Sequence, residues 1–78
     1  MNISSAIVHA HPANATVVAE RLTALAGVEV HGISPEGKLI VTIETDDDDS
    51  TLATYTRISQ LDGVLATAMI YNHSESET

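Results

Sequence analysis

An internal repeat at a spacing of 36 residues is the strongest constraint on how this chain folds. Leu22 corresponds to Ile58, and the run LAGV at 25–28 corresponds to LDGV at 61–64. In both halves a helix-like apolar period ends at this run, and a strand-like apolar segment begins there. With only 78 residues, the two halves are expected to share one small core and to form one domain.

The segments around the repeat predict the element order βαββαβ. The predicted strands cover residues 3–10, 28–33, 38–44 and 64–71. The first helix is predicted over residues 15–26, with Asn14 as its N-cap and Gly27 as its C-terminal stop. The second helix is predicted to begin in the acidic run at 46–50 and to end at residues 62–63. Its apolar residues recur every three positions: Leu52, Tyr55, Ile58 and Leu61. The turn residues at 34–37 predict a hairpin between the second and third strands.

Right-handed crossovers in both βαβ units place the two helices on one face of a four-stranded antiparallel sheet. The predicted fold is therefore a ferredoxin-like βαββαβ sandwich of the α+β class. It forms a single domain over residues 1–72, followed by an acidic tail over residues 73–78. The opposite face of the sheet is left without a covering layer.

Composition and charge exclude several classes of function. The chain has no Cys, Phe or Trp, so thiolate metal sites and thiol nucleophiles are unavailable and the core must be aliphatic. Eleven acidic residues against Arg21, Lys38 and Arg57 give a net charge of −8, which opposes binding to nucleic acid and to anionic membranes and favours a cationic partner. No apolar stretch approaches the roughly 18 residues of a membrane span, so stable membrane insertion is not expected. No glycine spacing suits a phosphate loop, and no nucleophile–base pattern is present. We expect no enzyme, no cofactor and a cytoplasmic location.

Alternation along the strands predicts which side chains line the uncovered face. Pairing Ile33 with Lys38 across the hairpin places Glu29, His31 and Ile40 on that face. The first strand allows two facings, and we favour the one that leaves His9 in water and turns alternate residues from Ala6 inward. In the last strand the repeat predicts two sets. The inward set is Val64, Ala66, Ala68 and Ile70, and the outward set is Leu65, Thr67, Met69 and Tyr71.

The resulting face is apolar, which is unusual for a solvated sheet face and indicates a partner surface. A homodimer seam is one interpretation of such a face. A binding surface for another molecule is the second, and these observations leave both open.

Four stretches, in their order and spacing, resemble the NapD family. They are ISSAIV at 3–8, LAGVEV at 25–30, GKLIVTIE at 37–44, and GVLA leading to IYNH at 63–73. The family consists of small cytoplasmic chaperones for the assembly of periplasmic nitrate reductase. The resemblance implies a non-enzymatic module that binds the twin-arginine signal peptide of the catalytic subunit and holds back export until cofactor loading is complete.

A twin-arginine signal has a basic region followed by an apolar region, so an acidic rim beside an apolar face suits it. The predicted rim comprises Glu29, Glu44 and the acidic run at 46–49. The predicted peptide-binding residues are Ile7, His9, Glu29, His31, Ile33, Ile40, Glu44, Leu65, Met69 and Tyr71.

Three other interpretations are weaker. The four histidines invite a metal site, but they fall on different strands without ligand spacing, and no metal is predicted. The acidic run at 46–49 lacks the alternating ligands and central glycine of a calcium loop and is better explained as helix capping. The alternative function is a small-molecule, amino-acid-sensing or oligomerisation module of the same topology.

Overall fold

The sheet is built from two βαβ units that interleave around a central pair of strands. In this computed structural model, residues 2–74 are described, and residues 71–74 are described by their backbone only. The elements are β1 (Asn2–Ala10), a 3₁₀ turn (Pro12–Asn14), α1 (Ala15–Thr23), β2 (Val28–Ile33), β3 (Lys38–Thr45), α2 (Asp48–Ser59) and β4 (Val64–Ser74). The strand order is β2-β3-β1-β4, with antiparallel neighbours throughout. The predicted α+β class and βαββαβ order are confirmed.

Both helices pack on the same face of the sheet around one aliphatic core. Val18 and Leu22 of α1 and Ile58 of α2 are fully buried against the sheet. On β1, Ala6 and Val8 are fully buried in the same core, which confirms the facing that we favoured for this strand. The remaining buried core members are Ala10, Ala15, Val28, Leu39, Val41 and Ile43.

The first helix begins at Ala15 as predicted but ends earlier and lacks the predicted side-chain cap. It ends at Thr23 rather than at residue 26, and the chain then turns through Gly27 at φ 80°. Asn14 precedes α1 but its side chain makes no capping hydrogen bond. The 3₁₀ turn already brings the chain into the helix, so Asn14 has φ −108° and ψ 0° instead of the extended conformation typical of an N-cap.

The second helix begins as predicted, and Ile58 and Leu61 of the predicted apolar set pack in the core, but Leu52 does not. The Asp47 side chain accepts a hydrogen bond from the Ser50 backbone N–H at 2.7 Å, as an N-cap should. Leu52, predicted to face the core, is 65% exposed, whereas Thr51 is buried. A spacing of three residues drifts around a helix of 3.6 residues per turn, so Thr51 shares a face with Ile58, seven residues on, and Leu52 does not.

β-Bulges change the register of both edge strands. In the hairpin, Ile33 pairs with Leu39 rather than with Lys38, and a bulge lies at His31 between Val30 and Gly32. β4 has register shifts on either side of its central segment, at Leu65 and at Ile70. Each bulge inserts one extra residue and therefore reverses the facing of the strand residues beyond it.

The predicted facing of the middle of β4 is consequently wrong. Thr67 pairs with Val8 and Met69 pairs with Ala6, so both lie on the helix side. Ala66 pairs with His9 and Ala68 pairs with Ile7, so both alanines lie on the uncovered side. Val64 packs against the core as predicted, whereas Ile70 is 55% exposed at its bulge.

Candidate functional site

The sheet face opposite the helices, here called the open face, is the candidate site. Cross-strand partners share a face, so the pairing register identifies its members. From the described side chains the open face comprises Ile3, Ser5, Ile7, His9, Glu29, Lys38, Ile40, Thr42, Glu44, Ala66 and Ala68. His31 joins them, because its Nε2 lies 2.7 Å from Thr42 Oγ1.

An apolar row crosses the middle of the open face. Ile7 of β1 lies directly opposite Ile40 of β3, and Ile40 is 49% exposed. The row ends in small residues, with Gly32 opposite Ile40 on β2 and Ala68 opposite Ile7 on β4. The two isoleucines therefore project further from the sheet than Gly32 and Ala68 on either side, and we call this pair the isoleucine ridge. Beside the ridge an apolar partner can approach the sheet backbone closely.

The charged side chains of the open face are divided between its two ends. Glu44 pairs with Ile3 at one end, and Glu29 lies one row inward, opposite Thr42. Lys38 lies at the other end, where β3 leaves the hairpin, opposite His9. Lys38 Nζ is 3.8 Å from Glu36 Oε1, so its charge is largely balanced by a neighbouring carboxylate.

The acidic run adds to the charge at the Glu44 end, because it directly follows β3. Asp48 Oδ1 accepts a hydrogen bond from Asn2 Nδ2 at 2.6 Å, which ties the start of α2 to the start of β1. Hydrogen bonds from Ser50 lower the pKa of Asp47 below its ordinary value of 3.8. The bond from the Ser50 backbone N–H has the larger effect, and the bond from its side chain adds to it. Asp47 is therefore ionised at neutral pH, and the acidic run lies at one end of the sheet.

The structure brings together six of the ten residues predicted to bind a peptide. The six on the open face are Ile7, His9, Glu29, His31, Ile40 and Glu44. Two others lie on the helix side: Ile33, paired with Leu39, and Met69, paired with Ala6. Leu65 is 60% exposed at a bulge. The backbone of Tyr71 pairs with Ser5, and its side chain lies outside the described residues.

The sequence pattern missed three residues of this face. It gave no signal for Gly32 opposite Ile40, and it assigned Ala66 and Ala68 to the core. Small residues beside the isoleucine ridge indicate a binding surface only once the pairing register of the four strands is known. If β4 had no bulge, simple alternation would place Ala66 and Ala68 on the helix side, which is the opposite of their observed facing.

A second apolar surface lies on the helix side. A groove of about 320 Å³ runs between α2 and β4 and is lined by Asp48, Thr51, Leu52, Tyr55 and Met69. The Tyr55 hydroxyl donates to the Thr67 carbonyl at 2.9 Å and so ties α2 to β4 beside this groove. This groove is the natural competitor of the open face for an apolar ligand.

The described residues contain no group of three or more His, Asp or Glu side chains close enough to hold a metal ion. His9 and His31 lie on different strands, β1 and β2, and His31 is engaged with Thr42 and, at 3.7 Å, with Glu29. His73 lies outside the described side chains. Within the same part of the chain, no helix has the length and apolarity needed to cross a membrane.

Comparison with known proteins agrees with this architecture. A family model described as "NapD protein" matches residues 1–76. The chain belongs to the NapD family. It is 29% identical to Chaperone NapD of Escherichia coli K12 over 96% of this chain and 87% of that protein. A Shigella flexneri Chaperone NapD matches with the same identity and coverage.

A solved NapD structure extends this similarity to three dimensions. The solution structure of the E. coli Tat proofreading chaperone protein NapD superposes with a TM-score of 0.85 at 30% identity. The match covers 96% of this chain and 79% of that one. The expected family and the expectation of a non-enzymatic chaperone are confirmed. The NapD assignment also favours a chaperone over the small-molecule sensing alternative.

Proposed function

We propose that this chain is a cytoplasmic proofreading chaperone. It binds the twin-arginine signal peptide of the periplasmic nitrate reductase catalytic subunit and holds back export until cofactor loading is complete. The observation that carries the proposal is the open face of a NapD-family fold, where exposed Ile40, paired with half-buried Ile7, shares the surface with the exposed carboxylates of Glu29 and Glu44.

The open face matches both parts of such a peptide. The Ile7–Ile40 ridge offers apolar area to the apolar segment of the signal, and the small residues beside it let a peptide backbone approach. Glu29 and Glu44 are exposed and attract arginine side chains. Apolar burial supplies most of the affinity, while the carboxylates steer the peptide and select against acidic sequences.

The test is a calorimetric titration of the chain with the synthetic signal peptide. Burial of one isoleucine side chain contributes roughly 1.5–3 kcal/mol, which corresponds to about 10- to 100-fold in Kd. We therefore expect Ile40→Asp to weaken binding by at least about tenfold. Ile40→Thr keeps the β-branched shape that suits a strand and is expected to weaken binding in the same direction with less effect on folding.

The matched control is Leu52→Asp, which places the same charge on an exposed apolar residue of α2. It is expected to bind the peptide like the unmodified chain. Loss of binding through Leu52→Asp, with Ile40→Asp and Ile40→Thr unaffected, would move the site to the α2–β4 groove and contradict the open face. No heat of binding at high micromolar peptide would contradict the proposed function itself.

A second copy of the chain is the other candidate occupant of the open face. Sedimentation velocity with and without peptide separates the two interpretations. A monomer that binds one peptide supports the proposal. A dimer that persists with peptide bound, and that Ile40→Asp dissociates, would assign the open face to self-association instead.

A further inference from the structure

We infer that the signal peptide lies on the open face in a single direction, with its arginine end over Ile3 and Glu44 and its apolar end over His9 and Lys38. This inference rests on the proposed function. It goes beyond it because it assigns the two ends of the peptide to opposite ends of the sheet, along the direction of β1 and β3.

The first support is the distribution of charge along the strands. Two carboxylates of the open face, Glu29 and Glu44, lie toward the same end of the sheet, and the four of residues 46–49 follow Glu44 where the chain passes from β3 into α2. At the hairpin end the charges of Glu36 and Lys38 offset each other. A peptide that is basic at one end only therefore has one favourable alignment on this face, and the reversed peptide would place its arginines beside Lys38.

The second support is the absence of competing cations among the described side chains. Lys38 is the one Lys or Arg on the open face in that part of the chain. Arg21 and Arg57 belong to the helices, and Arg21 Nη1 donates to the Asp62 carbonyl at 2.8 Å on that side. Among the described side chains no lysine or arginine pairs with Glu29 or Glu44, and only the His31 imidazole, 3.7 Å from Glu29, lies beside one of them, so both carboxylates are available to arginines from a peptide.

The third support is the length and shape of the apolar strip between the two ends. Ile3 and His9 are six positions apart on β1, which spans about 20 Å in an extended strand. That length accommodates about 13 residues of helix or about six of extended chain. The isoleucine ridge lies between the two ends, so an apolar segment that follows the arginines contacts it when the arginines lie at the Glu44 end.

Paramagnetic broadening tests the direction. The chain has no Cys, so a nitroxide label can be attached solely to a cysteine added at one terminus of the peptide. With the label at the N-terminus, we expect the methyl signal of Ile3 to broaden more than that of Ala66, which lies opposite His9. With the label at the C-terminus, the order is expected to reverse.

A matched pair of carboxylates provides the second measurement. Glu44→Gln and Glu36→Gln each neutralise one exposed glutamate, at opposite ends of the sheet. We expect Glu44→Gln to weaken peptide binding about two- to fivefold, as typical for an exposed ion pair, and Glu36→Gln to change it less than about twofold. A peptide with its two arginines replaced by glutamine should abolish the difference between the variants.

The outcomes separate this inference from the proposed function. Peptide binding with the broadening pattern reversed, or equal from both labels, overturns the direction and leaves the binding proposal standing. Equal losses for Glu44→Gln and Glu36→Gln overturn it as well. Absence of binding, or broadening confined to α1 and α2, overturns the proposed site.

Discussion

Gly37 lies where the β2–β3 hairpin passes closest to the end of β1. Its φ is +93°, and a Cβ built on it would lie 2.0 Å from the Ala10 carbonyl oxygen. The Ala10 N–H also donates to the Gly37 carbonyl at 2.8 Å, so neither segment is free to move away. A side chain at this position must therefore strain the backbone and displace β1 from the hairpin.

We expect Gly37→Ala to lower the free energy of unfolding by about 2 kcal/mol or more. The measurement is urea unfolding followed by circular dichroism. Gly32→Ala is the control, because a Cβ at that glycine meets no atom within 4 Å and its φ is not in the left-handed region. A loss as large for Gly32→Ala as for Gly37→Ala would contradict this explanation.

Asp47 couples the stability of α2 to pH. Its pKa is lowered below 3.8 by hydrogen bonds from Ser50, which favour the ionised form in the folded state. A carboxyl whose pKa is lower in the folded state stabilises the fold at pH values above its unfolded-state pKa. That stabilisation disappears as the pH falls through the folded-state pKa.

We expect Asp47→Ala to lower the thermal midpoint at pH 7, and the difference from the unmodified chain to shrink as the pH falls below about 4. Asp49→Ala serves as the control, because Asp49 lies in the same first turn without being the N-cap. A difference between Asp47→Ala and the unmodified chain that stays constant down to about pH 2 would argue against the cap.

The side chains that α2 buries against the sheet are those whose substitution should lower the free energy of unfolding. Ile58 is fully buried between α2 and the sheet, whereas Leu52 is 65% exposed. We expect Ile58→Ala to cost about 2–4 kcal/mol of unfolding free energy, because it leaves a cavity in the small core. Leu52→Ala is expected to cost less than about 0.5 kcal/mol. Equal losses in chemical denaturation would show that the helix packs on its other side.

The edge strands differ from the central strands in how they present side chains. β1 and β3 alternate without interruption along the paired residues, so their inward and outward sets follow the simple two-residue period. β2 and β4 contain bulges, which shorten the regular pairing on both edges of the sheet. Bulges at edges also hinder pairing with another sheet, so they leave the open face as the more regular surface for a partner.

The net charge of −8 acts over the full chain and affects the rate of peptide capture more than the final contacts. This charge attracts a cationic peptide over roughly the Debye screening length, which is about 10 Å at 0.1 M salt and about 3 Å at 1 M. We expect the association rate constant in stopped-flow fluorescence to fall about tenfold between roughly 50 and 500 mM NaCl, with a smaller change in the dissociation rate. A peptide without arginines should lose most of this salt dependence, and an unchanged salt slope would contradict charge steering.

The sequence alone was enough to predict the element order, the aliphatic core and the facing of β3. These features depend on apolar periodicity and turn residues, which act locally along the chain. For β1 the sequence allowed two facings, and burial of Ala6 and Val8 in the structure selects the favoured one. The acidic run at 46–50, which supplies Asp47 as the N-cap of α2, is likewise a local signal. Alternation also predicted Ile7, Ile40 and both glutamates on the open face, whereas the pairing of Ile7 with Ile40 comes from the structure.

Only the tertiary structure decided the facing of β4 and of the end of β2. One extra residue at a bulge reverses alternation, and whether a strand bulges depends on how it fits a twisted neighbour rather than on its own residue pattern. This is why Met69 and Ile33 lie on the helix side and Ala66 and Ala68 lie on the open face. The apolar ridge with small residues beside it, and the separation of charge along it, exist only once four strands are paired in that register.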